Sequence, residues 1–293
     1  MKTPTLVHAG TRQEPWVVVR SGFWGFQSFG FFDGEEALVV DPGIFAEDMA
    51  LLETAVCTRA TTGGPRRVRH VVVTHAHHDH LRGWNSYPGA EVSLPRTAAE
   101  KSPAARERIL AAKAAIDTRL EIDDPEFAYP VADRVFESEC ALTVGHQEVV
   151  LIPLPGHSNC CSVVWFPSIS TLYSADYLVT PGLPYCRWEI GAFRQALDWL
   201  GAFCRRERVQ RVWPSHYVGH TSPLAIQTAI AKDRTYLEVL EQACQTGLRR
   251  ELKDAAVVEA AERAVLALGG HHDRAGRLQH HDNAKRMLAC LKP

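Results

Sequence analysis

The chain has 293 residues, 46% hydrophobic and 23% charged, with a net charge of −2 at neutral pH. That length suffices for one large domain or two, and the balanced charge excludes the electrostatic footprint of a nucleic-acid or anionic-membrane binder. Eight cysteines without a C-x-x-C pair make no disulfide scaffold, and no apolar run reaches the ~18 residues of a spanning helix.

The opening residues, MKTPTLVHAGTRQEPW, hold no apolar stretch of a secretory signal, so a reduced, cytoplasmic protein is expected. Trp16 to Arg20 predicts the first strand. Residues 27–33, the Asp33-Gly34 turn and Ala37 to Val40 predict a hairpin, stopped by Asp41-Pro42-Gly43. The segment GFWGFQSFGFF (22–32) feeds this hairpin. Phe29 and Phe31 fit core positions. Phe23, Trp24 and Phe26 lie among glycines, in a loop suited to the apolar wall of a substrate pocket. Met49, Leu52, Ala55 and Val56 fall at helical spacing and predict a helix over 46–58. Val68 to Val73 reads as a strand, and Thr-His-Ala-His-His-Asp-His (74–80) follows it directly.

Further on, residues 97–120 are rich in Ala, Arg, Lys and Glu and predict one or two helices. Val149 to Ile152, Ser162 to Phe166 and Thr171 to Tyr173 predict strands, with Cys160 and Cys161 as small buried hydrophobes. Phe193, Ala196, Leu197, Leu200 and Cys204 follow an amphipathic helical pattern. Val209 to Trp213 is the last clear strand. From Ser222 the pattern is helical, interrupted at 269–277. The expected organisation is a catalytic region over 1–220, with a helical insertion about 97–120, and a helical segment over 221–293.

Histidine is the composition outlier, with 14 copies. His75, His77, Asp79 and His80 spell H-x-H-x-D-H, three imidazoles and a carboxylate within six residues. None of these side chains is apolar, so packing does not explain them; two adjacent metal sites do. Asp41, His157, Asp176 and His216 each stand just after a predicted strand. Strands lying side by side would bring such residues to one sheet edge, where rigid elements hold ligands distant in sequence. His216 directly follows strand and Pro-Ser, which favours it over His220. His78 occupies an unspecified position of the motif and is not expected to be a ligand. His70, His146, His271, His272, His280 and His281 are expected at the surface.

Taken in order, Asp41 in D-P-G, the cluster at 75–80, His157 in P-G-H-S, Asp176, and His216 in P-S-H resemble the metallo-β-lactamase superfamily over roughly residues 15–220. The resemblance implies an α/β fold, a four-layer αββα sandwich, here with a C-terminal helical extension. It implies that His75, His77 and His157 hold one metal and that Asp79, His80 and His216 hold a second. Asp176 would bridge the two, and Asp41 would accept the hydrogen bonds that orient ligands. Imidazole and carboxylate donors suit Zn²⁺, and also Fe or Mn. Two Zn²⁺ ions are the expectation, because hydrolysis needs a Lewis acid and no redox chemistry.

Departures from subfamily patterns narrow the activity. The β-lactamases of the superfamily carry Cys or Ser where this chain has Asp176, and flavodiiron reductases carry Glu where it has His77. Acyl-homoserine lactonases resemble the ligand set closely, but place a Tyr where this chain has Val179; Tyr177 or Tyr185 would have to substitute. Glyoxalase II-type thioesterases share all seven ligands, yet their basic glutathione-binding pattern is missing. The RNA-processing branches usually add a basic arm or large inserted domain, and neither is evident.

The expected reaction is hydrolysis of an ester, lactone or thioester (EC 3.1) of a small, partly apolar molecule by a metal-bridging hydroxide. Asp79 would shuttle the proton, and Tyr177 or Tyr185 would assist at the oxyanion. Cys186 and Arg187, on the loop after Asp176, would join Phe23, Trp24 and Phe26 at the substrate. Arg187 either anchors a substrate carboxylate or is a solvated charge. The alternatives are a metal-dependent phosphodiesterase or nuclease, a mononuclear iron sulfur-dioxygenase, and a non-catalytic binding protein. No nucleic-acid or membrane partner is expected, and a homodimer is left open.

Overall fold

A computed structural model describes residues 3–58, 64–124, 126–266, 268 and 274–292. The chain divides into two compact units of interleaved segments, the first from 1–153, 160–175 and 215–217, the second from 154–159, 176–214 and 218–293.

In the first unit, β1 (Thr5–His8), β2 (Trp16–Arg20), β3 (Gln27–Asp33), β4 (Glu36–Val40), β5 (Arg67–Val72), β6 (Glu91–Pro95) and β7 (Arg134–Phe136) form one sheet in chain order. The strands are antiparallel from β1 to β4 and parallel from β4 to β7. The second sheet is an antiparallel run of β8 (Cys140–Val144), β9 (Gln147–Pro153), β10 (Ser162–Phe166) and β11 (Thr171–Ala175). Between β4 and β5 the chain forms α1 (Ala46–Cys57), whose start is held by Asp48 Oδ2 accepting from the Ile44 and Phe45 amides, each at 3.0 Å. Between β6 and β7 come α2 (Arg96–Ala99) and α3 (Pro103–Leu120), the latter capped by Ser102 with Pro103 in its first turn.

β2 and β4 are apolar on four of five residues each, and β3 is buried on six of its seven, because both faces of these strands are covered. Val17, Val19, Val39 and Val71 pack in one core with Leu52 and Val56 of α1. Gly30 permits that approach: a Cβ there would lie 2.4 Å from Val56. On the opposite face Phe29 and Phe31 meet Phe166 of β10, with ring centroids 4.8 and 5.3 Å apart. Each such buried ring or branched side chain contributes about 1.5–3 kcal/mol. Beyond the histidine cluster, buried Arg82 pairs with Asp117 of α3 at 2.6 Å, and Lys113 joins Asp117 at 2.7 Å.

The second unit holds α4 (Ile190–Arg206), β12 (Arg211–Pro214), α5 (Pro223–Arg249), α6 (Asp254–Leu266) and α7 (Arg274–Leu291). The five residues of the amphipathic pattern between Phe193 and Cys204 are all buried in α4. On α5, Ile226, Ala229, Ile230, Leu237, Leu240 and Cys244 make the buried stripe. Gly247 lets α6 approach, because a Cβ there would sit 2.9 Å from Val257.

The expected helices and strands are present. Four further strands, β1, β6, β7 and β8, carried too weak a pattern to be read. β7 has three residues, and β6 turns the polar Ser93 inward, fully buried. Of the expected interruption at 269–277, residues 274–277 are helical and 269–273 lie outside the described residues, as do His271 and His272. No helix among the described residues is long and apolar enough to cross a membrane.

Candidate metal centre

In the first unit the candidate ligands stand where strands end. β5 stops at Val72, and the chain passes through Val73 and Thr74 into the cluster at 75–80. The Thr74 carbonyl accepts from the Ser162 amide at 3.0 Å and its hydroxyl at 2.8 Å, which fixes the start of the cluster to β10. β4 stops at Val40, and Asp41 follows with φ +46°, a left-handed conformation that costs a non-glycine residue about 1–2 kcal/mol. Residues 215–217 run beside 25–27. The Gln27 amide donates to the Ser215 carbonyl at 2.6 Å and the Tyr217 amide to the Gly25 carbonyl at 2.7 Å. That pairing places His216 beside Phe26.

Asp41 is the hub of these contacts. It is fully buried, and Oδ1 accepts the Thr74 amide at 2.8 Å. Oδ2 accepts the Thr74 hydroxyl at 2.7 Å and His80 Nδ1 at 2.8 Å. The Tyr173 hydroxyl lies 2.8 Å from the Gln27 carbonyl and 3.3 Å from Oδ2. A carboxylate only accepts, so His80 carries its proton on Nδ1 and presents Nε2 as a lone pair. The same argument fixes His216, whose Nδ1 donates to the Trp24 carbonyl at 3.3 Å. His75 Nδ1 lies 3.1 Å from the Thr74 oxygen, whose own proton goes to Asp41, so His75 too presents Nε2. That Nε2 lies 2.9 Å from His77 Nδ1.

The structure thus gathers Asp79, His80 and His216, one donor atom each, within 4.8 Å of one another. Asp79 Oδ2 is 3.8 Å from His80 Nε2 and 3.5 Å from His216 Nε2. Two donors on a tetrahedral zinc, with bonds of about 2.0–2.1 Å, lie about 3.3 Å apart. Burial pushes the Asp79 carboxyl up, but in the metal-free site a second proton on His80, His216 or His78 brings positive charge that outweighs it and holds the group well below the usual carboxylate range, the charge a cation would supply in its place. Donors of these kinds, with ring nitrogens turned inward by acceptors behind them, fit a divalent cation.

The second unit repeats the device. His157 is buried, its Nδ1 donates to the Tyr185 carbonyl at 2.7 Å, and its Nε2 lies 3.0 Å from Asp176 Oδ2. Its amide donates to the Tyr177 oxygen at 3.0 Å, and its carbonyl accepts the Arg187 amide at 2.9 Å. His220, the rejected neighbour of His216, has its Nε2 tied to the Leu178 carbonyl at 2.7 Å.

Several expectations need correction. Tyr177 is fully buried, and its hydroxyl donates to the Leu154 carbonyl at 2.6 Å while accepting from His157; it braces the histidine and does not face a substrate. Phe26 is fully buried, edge-on to His80 and His216 at 5.2 and 5.4 Å, so it backs the imidazoles and does not line an open pocket. Cys186 is also fully buried, and burial pushes its thiol far up, so it offers no surface to a substrate. His280 is not at the surface: it is buried, with Nδ1 3.2 Å from the Tyr236 hydroxyl.

Of the remaining residues, Phe23 stacks on Trp24 at 4.2 Å, and Trp24, 37% exposed, approaches His78 at 5.7 Å. Exposed Arg187 bonds the Tyr185 hydroxyl at 3.2 Å, and that hydroxyl also lies 3.2 Å from Asp282. Thr74 and Tyr173 were missed. A hydroxyl directly before the cluster was the one available signal for Thr74; Tyr173 reads as an ordinary strand residue.

A family model described as the metallo-beta-lactamase superfamily matches residues 22–236. A beta-lactamase domain protein from Burkholderia ambifaria is similar over 94% of this chain and 85% of its own, at 18% identity and a TM-score of 0.67. A metallo-beta-lactamase from Pontibacter korlensis is similar over 78% of this chain and 97% of its own, at 18% identity and a TM-score of 0.56. A stereoselective inverting sec-alkylsulfatase from Pseudomonas sp. is similar over 94% of this chain and 49% of its own, at 15% identity and a TM-score of 0.62. At such identities the likeness is one of fold. No curated protein matches the chain significantly.

Proposed function

The chain belongs to the metallo-beta-lactamase superfamily, and from that premise we propose that it is a metal-dependent hydrolase of an ester, lactone or thioester of a small, partly apolar molecule. His75, His77 and His157 would hold one divalent cation and Asp79, His80 and His216 another, with Asp176 as the ligand they would share. Zinc is the cation of choice, since the donors are imidazole and carboxylate and the chemistry needs no redox step. Bound divalent cations lower the pKa of water to about 7 and polarise a substrate oxygen.

The chain's own groups do the rest. Asp41 and the Tyr185 carbonyl hold His80 and His157 in the ligating tautomer before any cation arrives. Asp79, ionised in the site, orients the attacking water and relays its proton to the leaving group through the carboxylate oxygen that does not serve the cation. Phe23 and Trp24 offer an apolar wall, which suits an acyl group better than a phosphodiester. The observation that carries this reading is the anchoring of Nδ1 on His75, His80, His157 and His216, which leaves four Nε2 lone pairs for ligation.

The test is turnover of a panel of lactones, esters, thioesters, phosphodiesters and β-lactams by zinc-loaded protein. Acyl substrates should be cleaved, and His77→Ala and Asp176→Ala should lose activity and metal together. Full turnover with retained metal in both variants overturns the assignment.

A further inference from the structure

Asn283 of α7 is fully buried and more than 100 residues from His157 in sequence, yet its amide grips the loop that holds that histidine. Its Oδ1 accepts the Cys186 amide at 3.0 Å, and its Nδ2 donates to the Pro184 carbonyl at 2.6 Å and to the Tyr236 oxygen at 3.0 Å. Pro184 and Cys186 flank Tyr185, whose carbonyl accepts His157 Nδ1, and the next amide, that of Arg187, donates to the His157 carbonyl. Two weaker ties join the same loop to the same helix: the Tyr185 hydroxyl with Asp282 at 3.2 Å, and Arg286 with the Trp188 carbonyl at 3.2 Å. The side-chain amide is aimed at the residues on either side of the one carbonyl that fixes the His157 tautomer. A helix packed for bulk alone would need no such polar side chain inside.

We propose that Asn283 is a positioning residue for the metal centre, acting through Pro184, Tyr185 and Cys186 to hold His157 Nε2 in the ligating direction. The inference deepens the metal-hydrolase reading and rests on it. The C-terminal helix then has a role in the site: it sets the orientation of a ligand carried by a loop. Neighbours that orient a ligating histidine typically account for 10- to 100-fold in metal affinity.

The experiment is zinc titration of the full chain against a chromophoric chelator, for wild type, Asn283→Ala and Met287→Ala. Met287 is buried on the same helix, so its truncation loosens α7 without removing a hydrogen bond to the loop. Asn283→Ala should weaken one of two zinc sites about tenfold and speed hydrogen exchange at the Arg187 amide in metal-free protein. Met287→Ala should lower the melting temperature yet bind zinc as wild type does. Wild-type affinity in Asn283→Ala overturns the proposal, and so does equal weakening in Met287→Ala, which would mark a general packing effect. A wild-type chain that binds no zinc overturns the metal-hydrolase reading itself, and this inference with it.

Discussion

Asp41 makes its contacts at zero exposure, so each of its hydrogen bonds offsets part of a large desolvation cost. An amide in its place cannot satisfy Thr74 and His80 together. Its nitrogen would face the His80 Nδ1 proton, donor against donor, or turn away and abandon the Thr74 amide or hydroxyl. Asp41→Asn should therefore release the His80 tautomer, lower zinc affinity 10- to 100-fold and destabilise the metal-free fold by about 1–3 kcal/mol. Chelator competition and urea denaturation measure the two effects, and an unchanged zinc affinity would mean that Asp41 orients nothing. The ligand candidates were legible from sequence because His75, His77, Asp79 and His80 lie at short spacing and because Asp41, His157, Asp176 and His216 each follow a strand in ordered motifs. Thr74, Tyr173 and Asn283 were not, because a hydroxyl or amide takes its role from its tertiary neighbours. Tyr177 misled for the same reason: its phenol is a plausible oxyanion donor until its two partners, Leu154 and His157, are seen.

At the level of elements, apolar pattern was a good guide wherever an element is long or buried on both faces. β2, β3, β4 and α4 were readable for that reason. β7 has three residues, and β8 alternates exposed with buried, with Cys and Ala among its few members, which left little signal. Helix α5 holds a feature that pattern alone would have excluded, the carboxylate of Asp233 on its buried stripe. Asp233 is 2% exposed, Oδ2 has no hydrogen-bond partner among the described residues, and burial pushes its pKa from 3.8 up to about 7, against the opposing charge of Lys232. The folded state therefore binds a proton more tightly than the unfolded chain does. Stability from this group is full below the unfolded pKa and declines as pH rises through the folded one, by about 2–3 kcal/mol between pH 5 and pH 7. Asp233→Asn should remove that decline. Urea denaturation at the two pH values checks it, and an identical pH slope in wild type and variant would show that the carboxyl does not titrate in this range.

Across the whole molecule, family membership and fold follow from one ordered set of motifs, and the same set dictates the chemistry proposed. The first unit carries His75, His77, Asp79, His80 and His216, and the second carries His157 and Asp176. Seven candidate ligands would serve two cations, so the stoichiometry of metal is the most direct test of the account. The measurement is elemental analysis of the full chain after zinc loading and gel filtration, for wild type and His157→Ala. The account predicts two zinc ions per wild-type chain and a lower content in the variant. A wild-type chain that retains none, or a variant that retains as much as wild type, would contradict it.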